Sequence, residues 1–395
     1  MDELQLIGRK RECFLDDIEE NGQKISAEIE GSKFVVIGGA GSIGRAVSRE
    51  LFKRNPKVLH VVDISENSLV SLVRDLRSSF GYIEGDFQTF CIDATGAELK
   101  HLFREYKYDY VLNLSALKHV RSEQNRFSLM RMIEVNVFAN QYIMQLCDEI
   151  HCRKFFCVST DKAANPANIM GATKRIMEKL VFDSAYATSS SMARFANVAY
   201  SDGSLLAGFR DRISMNQPIS CPIDIQRYFI LSREAANLCL LSTILGQDGD
   251  IYFPNNQKEI APTSFLDVAE IFLEQNGYKL KRVFDEDEAR AQVVNFKSEG
   301  FWPVYTFESD TTGEKSLEEF YTDTENVDFE KFREVGIIQR KKQDDYRIEV
   351  ENFVNDIIAL REVGRYSRDS ILELITQAVP EFEHIEKGKF LDQKM

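Results

Sequence analysis

Apolar residues in the first half of the chain follow two alternating patterns. Short runs rich in Val, Ile and Phe, such as 34–37 and 58–62, predict buried strands, because branched and aromatic side chains suit a covered, pleated surface. Stretches with an apolar residue at every third or fourth position, such as 68–80, predict amphipathic helices. Regular alternation of the two predicts a parallel sheet that helices cover on both faces.

The alternation extends over residues 31–200 and then weakens. Strands are predicted at 33–39, 58–63, 89–93, 108–116, 154–159 and 191–198. Helices are predicted from Ser42 onward and at 68–80, 128–150 and 169–187. Beyond Tyr200 shorter elements predominate: a helix at 232–245, an acidic segment at 285–330, and closing helices at 342–363 and 367–378.

These elements predict an α/β fold with a doubly wound parallel sheet and additional parts. Residues 1–30 form a charged N-terminal helical arm, and residues 31–200 form the sheet domain. Residues 201–340 form a smaller region interleaved with that domain, and residues 341–395 form a C-terminal helical extension. A chain of 395 residues suits this division, because single cores rarely grow beyond about 250–300 residues.

Composition narrows the class of protein. Apolar residues make up 44% of the chain and the formal net charge is −14, so we expect a folded protein without a nucleic-acid surface, which needs a basic excess. Seven cysteines without paired spacing favour a reducing cytoplasm. No apolar run approaches the roughly 20 residues that span a bilayer, so we expect a soluble protein. The five histidines lack metal-ligand spacing, and no metal site is expected.

Glycines cluster where the first predicted strand meets the first helix, in the stretch GGAGSIG. Gly39, Gly41 and Gly44 fit the pattern G-x-G-x-x-G, and Gly38, Gly41 and Gly44 fit G-x-x-G-x-x-G. Small residues allow a tight turn and close approach to a pyrophosphate, and the helix N-terminus offers N–H groups to the anion. The motif therefore predicts a Rossmann-type dinucleotide site; a glycine-rich turn without a ligand is the alternative.

Acidic residues at two strand ends concern the choice of cofactor. Asp63 ends the second predicted strand, where the dinucleotide fingerprint expects a carboxylate for the adenosine ribose. No Arg or Lys directly follows it in VVDISENS, so the 2′-phosphate of NADP would meet an unpaired carboxylate, and NAD is the preferred cofactor. Asp93 ends the third strand and is either an adenine contact or a helix N-cap.

The stretch STDKAANPANIMGATKR begins at the end of the fifth predicted strand. Ligands of doubly wound sheets bind at the carboxyl ends of strands, so we expect Thr160, Asp161 and Lys162 near the nicotinamide. Met170 and Lys174 are four residues apart on the next predicted helix and share one face. A surface ion pair is the alternative for Asp161 and Lys162, but the strand end favours a site.

Six motifs in order, GGAGSIG, SALKHV, STDKAANPANIMGATKR, RFANV, RYF and TTGEK..EEF, resemble the extended short-chain dehydrogenase/reductase superfamily. Over residues 31–338 the chain is similar to UDP-N-acetylglucosamine 4,6-dehydratases of bacterial deoxyaminosugar and nonulosonate synthesis, in their soluble branch without a membrane anchor. The resemblance implies an NAD-binding domain at 31–200 and a mainly substrate-binding region at 201–340. It also implies a UDP-sugar substrate, UDP-N-acetylglucosamine or a similar one, a cytoplasmic location, and a homodimer or higher homo-oligomer.

The resemblance further implies a reaction. Sugar C4 gives a hydride to NAD⁺, the new 4-ketone acidifies the C5 proton, and the hydride returns to C6 after the C6 hydroxyl leaves. Lys162 then removes the C5 proton, and Asp161 protonates the leaving hydroxyl. Thr160 binds the C4 oxygen, while Lys174 holds the nicotinamide ribose. Burial and the nearby Lys174 charge are expected to lower the pKa of Lys162, as suits a general base.

Met170 departs from the usual reductase pattern, in which a tyrosine stands four residues before the lysine. A thioether does not take a proton from an alcohol, so Asp161 or water must accept the C4 hydroxyl proton. Within the family this methionine resembles the mark of enzymes that retain the configuration at C5. Helix packing against the cofactor is a simpler role that is compatible with this interpretation.

Further contacts are carried over from the resemblance. His119 is expected to be a packed residue and Asn136 to brace the site. TTGEK has Thr311 where relatives have a pyrophosphate-binding arginine, so Arg210 or Arg212 is expected to replace it, and Glu314 and Lys315 are expected to border the nucleotide or to start a helix. The candidate cofactor contacts are Gly38, Gly41, Ser42, Ile43, Gly44, Asp63, Ser65, Asp93, Ala94, Ser115, Ala116 and Lys174, and the candidate substrate contacts are Lys118, Asn197, Arg212, Arg227 and Glu314.

Two other functions remain open on the sequence alone. A nucleotide-sugar 4-epimerase or a dehydrogenase on the same scaffold needs no Asp–Lys pair and normally keeps the tyrosine. A redox-sensing regulator that binds a dinucleotide without catalysis accounts for the missing tyrosine, but not for intact Asp161, Lys162 and Lys174.

Overall fold

The computed structural model of the chain describes residues 2–183, 185–255, 260–340 and 346–384. Its strands are β1 (Lys33–Ile37), β2 (Val58–Asp63), β3 (Asp86–Cys91), β4 (Tyr110–Asn113), β5 (Lys154–Thr160), β6 (Ser190–Phe195), β7 (Asn197–Val198), β8 (Ile219–Pro222), β9 (Gln226–Arg227), β10 (Phe229–Ile230), β11 (Asp250–Pro254), β12 (Thr263–Ser264), β13 (Lys279–Val283), β14 (Phe301–Phe307), β15 (Asn326–Asp328) and β16 (Val335–Gln339).

The helices are α1 (Glu3–Leu6), α2 (Leu15–Glu30), α3 (Ser42–Phe52), α4 (Glu66–Phe80), α5 (Ala97–Tyr106), α6 (Arg126–Ile133), α7 (Ala139–Ile150), α8 (Ile169–Val181), α9 (Leu205–Ser214), α10 (Ser232–Leu245), α11 (Phe265–Gln275), α12 (Glu286–Ser298), α13 (Arg347–Val363) and α14 (Arg368–Ala378).

One sheet of nine strands organises most of the chain, in the order β15-β16-β11-β6-β5-β4-β1-β2-β3. The strands from β11 to β3 run parallel, and β16 and β15 add an antiparallel edge. The chain moves outward from β1 in one direction through β2 and β3, and in the other through β4, β5 and β6. Right-handed crossovers therefore place α3 and α4 on one face and α5, α7 and α8 on the other. The predicted doubly wound α/β fold is confirmed.

A second core lies beside the large sheet. A parallel three-stranded sheet, β13-β14-β8, packs against α9, α11 and α12 around the fully buried Trp302. Its indole N–H donates to the carbonyl of Gln217 at 3.0 Å. The sequence pattern did not reveal these elements, because α12 buries only Ala289 and Val293 and the rest of the helix is predominantly polar.

The terminal helices belong to both cores. Leu6, at the end of α1, is buried in the second core, whereas Ile25 and Ile29 of α2 are buried in the first. At the other end α13 and α14 pack against α8, and Lys179 of α8 donates to the carbonyl of Ala378 at 3.0 Å. The four predicted domain boundaries stay predictions, and residues 341–345 and 385–395 of the C-terminal extension lie outside the described residues.

Two predicted helices differ from the structure. The prediction of a helix to residue 187 was wrong, because α8 ends at Val181 and the following residues no longer repeat with a helical apolar period. The predicted helix at 128–150 is interrupted between α6 and α7 by a π-helical segment, Glu134–Phe138. A π segment adds a residue to one turn and often occurs at functional sites; here it contains the buried Asn136.

Candidate active site

A cleft of about 390 Å³ opens at the carboxyl ends of the central strands. Strand β1 has β2 on one side and β4 on the other, so the direction of the crossovers reverses there. Such a switch point leaves a crevice between the loops that follow the two strands, and ligands of doubly wound sheets bind in it. The glycine-rich turn after β1 and the Asp161 turn after β5 both line the cleft.

The glycine-rich turn provides a cradle for a dinucleotide. Gly38 has φ +70°, and a Cβ there would lie 2.6 Å from the Ser115 nitrogen. A Cβ on Gly44 would lie 2.2 Å from the Gly38 carbonyl oxygen, so α3 packs closely only without side chains. Gly41 precedes α3 and offers no side-chain cap. The first N–H groups of α3 thus face the cleft, beside Ser42, with a positive helix end suited to a pyrophosphate.

The adenosine end of the candidate cofactor site is formed by Asp63. Its carboxylate accepts hydrogen bonds from the backbone nitrogens of Ala40 and Ser65, both at 3.0 Å, which fixes the glycine turn against the start of α4. The carboxylate keeps lone pairs for ribose hydroxyls. Asp93 is exposed and accepts from Thr95 at 2.8 and 2.7 Å, so it shapes the turn at the predicted adenine edge.

Thr160, Asp161 and Lys162 line the cleft together, as expected. Asp161 is buried, and its Oδ1 accepts from the Thr160 hydroxyl at 2.8 Å and from the Lys162 backbone nitrogen at 2.9 Å. The Lys162 ammonium lies 3.2 Å from the same oxygen. The acid and the base candidates are therefore in direct contact at the end of β5.

The expected direction of the Lys162 pKa was wrong. Burial alone would lower the pKa of Lys162, but the carboxylates of Asp161 and Glu318 outweigh burial, and this pKa lies above its ordinary value. Glu318 is buried and its Oε1 is 3.4 Å from the Lys162 Nζ. Sequence reasoning missed Glu318 as a site residue, although the motif TTGEK..EEF contains it.

Met170 and Lys174 share the cleft-facing side of α8, as their spacing predicted. The Met170 nitrogen donates to the buried carboxylate of Glu123 at 2.7 Å, which fixes the beginning of the helix. The Lys174 ammonium donates to the Val158 carbonyl at 3.0 Å. Burial lowers the pKa of Lys174 to about 8, so this lysine is charged at neutral pH.

The loop after β4 forms the wall between the two halves of the site. Ala116, Lys118 and His119 line the cleft, and burial lowers the pKa of both Lys118 and His119. Ser115 adjoins Gly38 and donates its hydroxyl to Asn113 at 2.6 Å.

Asn136 braces this loop, as the resemblance implied. It exchanges hydrogen bonds of 3.0 Å with the Leu117 backbone and donates to the Thr173 hydroxyl at 3.1 Å. Thr173 belongs to α8, so the π segment ties the loop after β4 to the helix that carries Met170 and Lys174. This gives the π segment a structural reason that the periodicity of the sequence did not contain.

The candidate substrate contacts divide into two groups. Lys118 and Asn197 line the cleft, whereas Arg212, Arg227 and Glu314 do not. The Arg227 guanidinium donates to the carbonyls of Gln226, Lys315 and Ser316 at 2.8–3.3 Å and pairs with Glu314. It therefore anchors the segment around Glu314.

Arg212 and the exposed Arg210 lie on α9, and Arg212 donates to the Pro218 carbonyl at 3.2 Å. Thr311 is buried, and its backbone nitrogen is 3.4 Å from the Ser309 hydroxyl. The structure therefore does not bring these arginines to the described cleft. Within the described residues, no group of three or more His, Cys, Asp and Glu side chains is arranged to hold a metal ion.

Fold and site define a nucleotide-binding α/β protein with an acid–base pair beside the cofactor cradle. The chain belongs to the polysaccharide biosynthesis protein family, whose sequence profile matches residues 34–340. An uncharacterized membrane protein of Methanocaldococcus jannaschii is 32% identical over 269 residues, which cover 65% of this chain and 76% of that protein. In the described part of this chain, no helix combines the length and apolarity needed to cross a bilayer.

Other relatives differ in length and named activity. The capsular polysaccharide biosynthesis protein CapD of Staphylococcus aureus is 27% identical over 91% of this chain, but the match spans only 55% of CapD. A UDP-N-acetylglucosamine 4,6-dehydratase (inverting) of Campylobacter jejuni is 27% identical over 57% of this chain and 67% of its own length. A solved structure, Pen from Bacillus thuringiensis, matches the fold with a TM-score of 0.64 and 21% identity, covering 80% of this chain and 90% of that one.

Proposed function

We propose that the protein is an NAD-dependent hydro-lyase that converts UDP-N-acetylglucosamine to the 4-keto-6-deoxy sugar nucleotide. One observation carries this proposal: a contacting Asp161–Lys162 pair lines the same cleft as Thr160, Lys174 and the glycine cradle. Removal of a C5 proton and departure of a C6 hydroxyl need a base and an acid close together. The dehydratase relative of Campylobacter jejuni supports the same reaction at 27% identity.

The described residues fit NAD. A cradle at Gly38 and Gly44 that a Cβ would fill, together with the uncapped start of α3, suits a pyrophosphate. Asp63 suits the ribose hydroxyls, and the Lys174 ammonium suits the nicotinamide ribose. Solved structures of the same fold, including a Thermus thermophilus UDP-glucose 4-epimerase, carry NAD in their titles, and this supports the choice. When bound, NAD⁺ supplies hydride removal from sugar C4 and its return to C6.

The protein side chains then have distinct tasks. The Thr160 hydroxyl binds the C4 oxygen, and the Lys174 charge stabilises the developing C4 oxyanion. Lys162 takes the C5 proton, and Asp161 gives a proton to the departing C6 hydroxyl. Met170 offers no proton-accepting group, so Asp161 or water accepts the C4 hydroxyl proton.

Stereochemistry and assembly belong to the same proposal. Lys162 takes and returns the C5 proton from one side of the sugar, and the product retains its C5 configuration. The dehydratase relative is named as inverting, so the C5 configuration of the product tests the interpretation of Met170. Lys118 and Asn197, which line the cleft, contact the sugar nucleotide. The predicted homo-oligomer and cytoplasmic location stay predictions.

A 4-epimerase is the second candidate, because a UDP-glucose 4-epimerase of Rickettsia canadensis is also 27% identical, over 55% of this chain. An epimerase returns the hydride to C4 and needs no acid beside C6. The Asp161–Lys162 contact therefore favours dehydration.

Heavy water separates the candidate functions. The protein is incubated with UDP-N-acetylglucosamine and NAD⁺ in D₂O, and the nucleotide is followed by mass spectrometry and ¹H NMR. We expect loss of one water and one deuterium at C5, because the base that returns the C5 proton exchanges with solvent. Isomerisation without loss of water would identify an epimerase. Unchanged substrate together with measurable NAD binding would support a non-catalytic regulator.

A further inference from the structure

The Lys162 ammonium lies between two carboxylates rather than beside one. Asp161 approaches from the same turn at 3.2 Å, and Glu318 approaches from the segment between β14 and β15 at 3.4 Å. Glu318 is only 4% exposed and does not line the cleft. A buried carboxylate that touches the base candidate but not the ligand space acts on chemistry only through that base.

The segment that carries Glu318 is fastened to the turn that carries Lys162. The Asn168 side chain donates to the Gly313 carbonyl at 3.0 Å, and the Lys315 ammonium donates to the Asn165 carbonyl at 2.6 Å. A Cβ on Gly313, which has φ +72°, would lie 2.5 Å from the Asn168 Cβ, so the two segments are in close contact. Glu318 is thereby held at a fixed place relative to Lys162.

The charges around Lys162 favour its protonated form. Asp161 and Glu318 attract the ammonium, whereas Arg227 on β9 opposes them, and together the carboxylates raise the pKa of Lys162 above its ordinary value. Lys174 and Lys118 line the same cleft, and Glu314 pairs with Arg227. The resting site thus holds Asp161 as a carboxylate and Lys162 as an ammonium, which is the reverse of the states needed for catalysis.

One proton transfer inside the pair resolves this conflict. Movement of a proton from Lys162 Nζ to Asp161 Oδ1 leaves a neutral amine and a carboxylic acid, with no proton gained from solvent. The amine then takes the C5 proton, and the acid gives its proton to the C6 hydroxyl. We propose that Glu318 is a positioning residue that holds the Lys162 ammonium over the cleft and keeps this proton on the pair at alkaline pH. The inference rests on the proposed dehydration.

Substitution Glu318→Gln tests this role through a pH profile. Activity requires one proton on the Asp161–Lys162 pair, so the profile is bell-shaped, and its alkaline limb marks loss of that proton. Removing an anion next to the ammonium weakens proton binding, and we expect the alkaline limb of kcat to move to lower pH by about one unit or more. Glu318→Asp, which keeps the charge, should restore part of the wild-type limb.

Glu319→Gln is the matched control. Glu319 is exposed and accepts from Asn165 at 2.7 Å, so its loss perturbs the same segment without touching Lys162, and its alkaline limb should coincide with the wild type. A uniformly lower rate in Glu318→Gln with an unmoved limb would mean that Glu318 is only structural and would overturn the inference.

A second measurement separates this inference from the proposed function. ¹³Cε-lysine NMR, with the Lys162 signal assigned by its absence in Lys162→Met, reports the titration of Lys162 without any substrate. We expect Glu318→Gln to lower the titration midpoint by about one unit or more. A shifted midpoint in a protein that leaves UDP-N-acetylglucosamine unchanged would contradict the dehydratase but support the Glu318–Lys162 coupling. An unshifted midpoint would contradict the coupling itself.

Discussion

Lys162→Met is expected to lower kcat for loss of water by about 10²–10⁴-fold, the usual contribution of a general base. The variant keeps an unbranched side chain of similar length but removes the amine that takes the C5 proton. Asp161 also loses the ammonium 3.2 Å away, from which it receives its proton. NAD affinity should stay within about twofold, because the glycine cradle, Asp63 and Lys174 remain. Steady-state kinetics and calorimetric titration with NAD⁺ measure the two quantities.

A control for this variant is Lys100→Met. Lys100 lies on α5 with a side chain 41% exposed, paired only loosely with Glu149 at 3.9 Å, so both quantities should match the wild type. Loss of NAD binding in Lys162→Met would mean that this lysine belongs to the cofactor site. Unchanged kcat would remove Lys162 from the mechanism.

Arg194→Met is expected to reduce the free energy of unfolding by about 3–5 kcal/mol, the typical cost of breaking a buried ion pair. The Arg194 guanidinium is fully buried and donates to Glu178 at 2.9 and 2.8 Å and to Glu325 at 2.8 and 2.7 Å. Its removal leaves two carboxylates at the back of β5 with Arg175 as their remaining cation. Ser159, which lines the cleft, also donates to Glu178 at 2.6 Å, so the cluster supports the catalytic turn.

Urea unfolding at several pH values measures this effect. Burial alone would raise the pKa of Glu178, but Arg194, Arg175 and the Ser159 hydrogen bond lower it from 4.5 to about 2. A depressed pKa contributes stability that is present above pH 4.5 and is lost as the pH falls toward 2. Arg194→Met should lose most of this acid dependence. Arg290→Met, on the exposed surface of α12, is the control. A change below about 1 kcal/mol for Arg194→Met, the value of an exposed pair, would contradict the account.

The sequence was sufficient for the parts of the site that depend on local pattern. The strands around Gly38 and Asp161 are continuous apolar runs, and their carboxyl ends meet because the sheet is parallel. The i, i+4 spacing of Met170 and Lys174 correctly predicted a shared helix face. These features follow from rules that act over a few residues or one crossover.

Features that depend on long-range contact were not accessible from pattern. Glu318 is 156 positions after Lys162 in the chain, and only the packing of the segment after β14 brings its carboxylate to the ammonium. The raised pKa of Lys162 follows from that contact. Arg227 likewise has the chemistry for a phosphate, but its guanidinium is committed to the carbonyls of Gln226, Lys315 and Ser316. Composition identified these residues as ionic, and tertiary structure determined their partners.

The most direct test of the dehydratase proposal follows one hydrogen atom. The protein is given UDP-N-acetylglucosamine with deuterium at sugar C4, in ordinary water with NAD⁺, and the product is examined by ²H NMR and mass spectrometry. The account predicts that the deuterium leaves C4 and is found at C6 of the same molecule, with no exchange between labelled and unlabelled sugars. Deuterium that remains at C4, or a product that still carries its C6 hydroxyl, would contradict it.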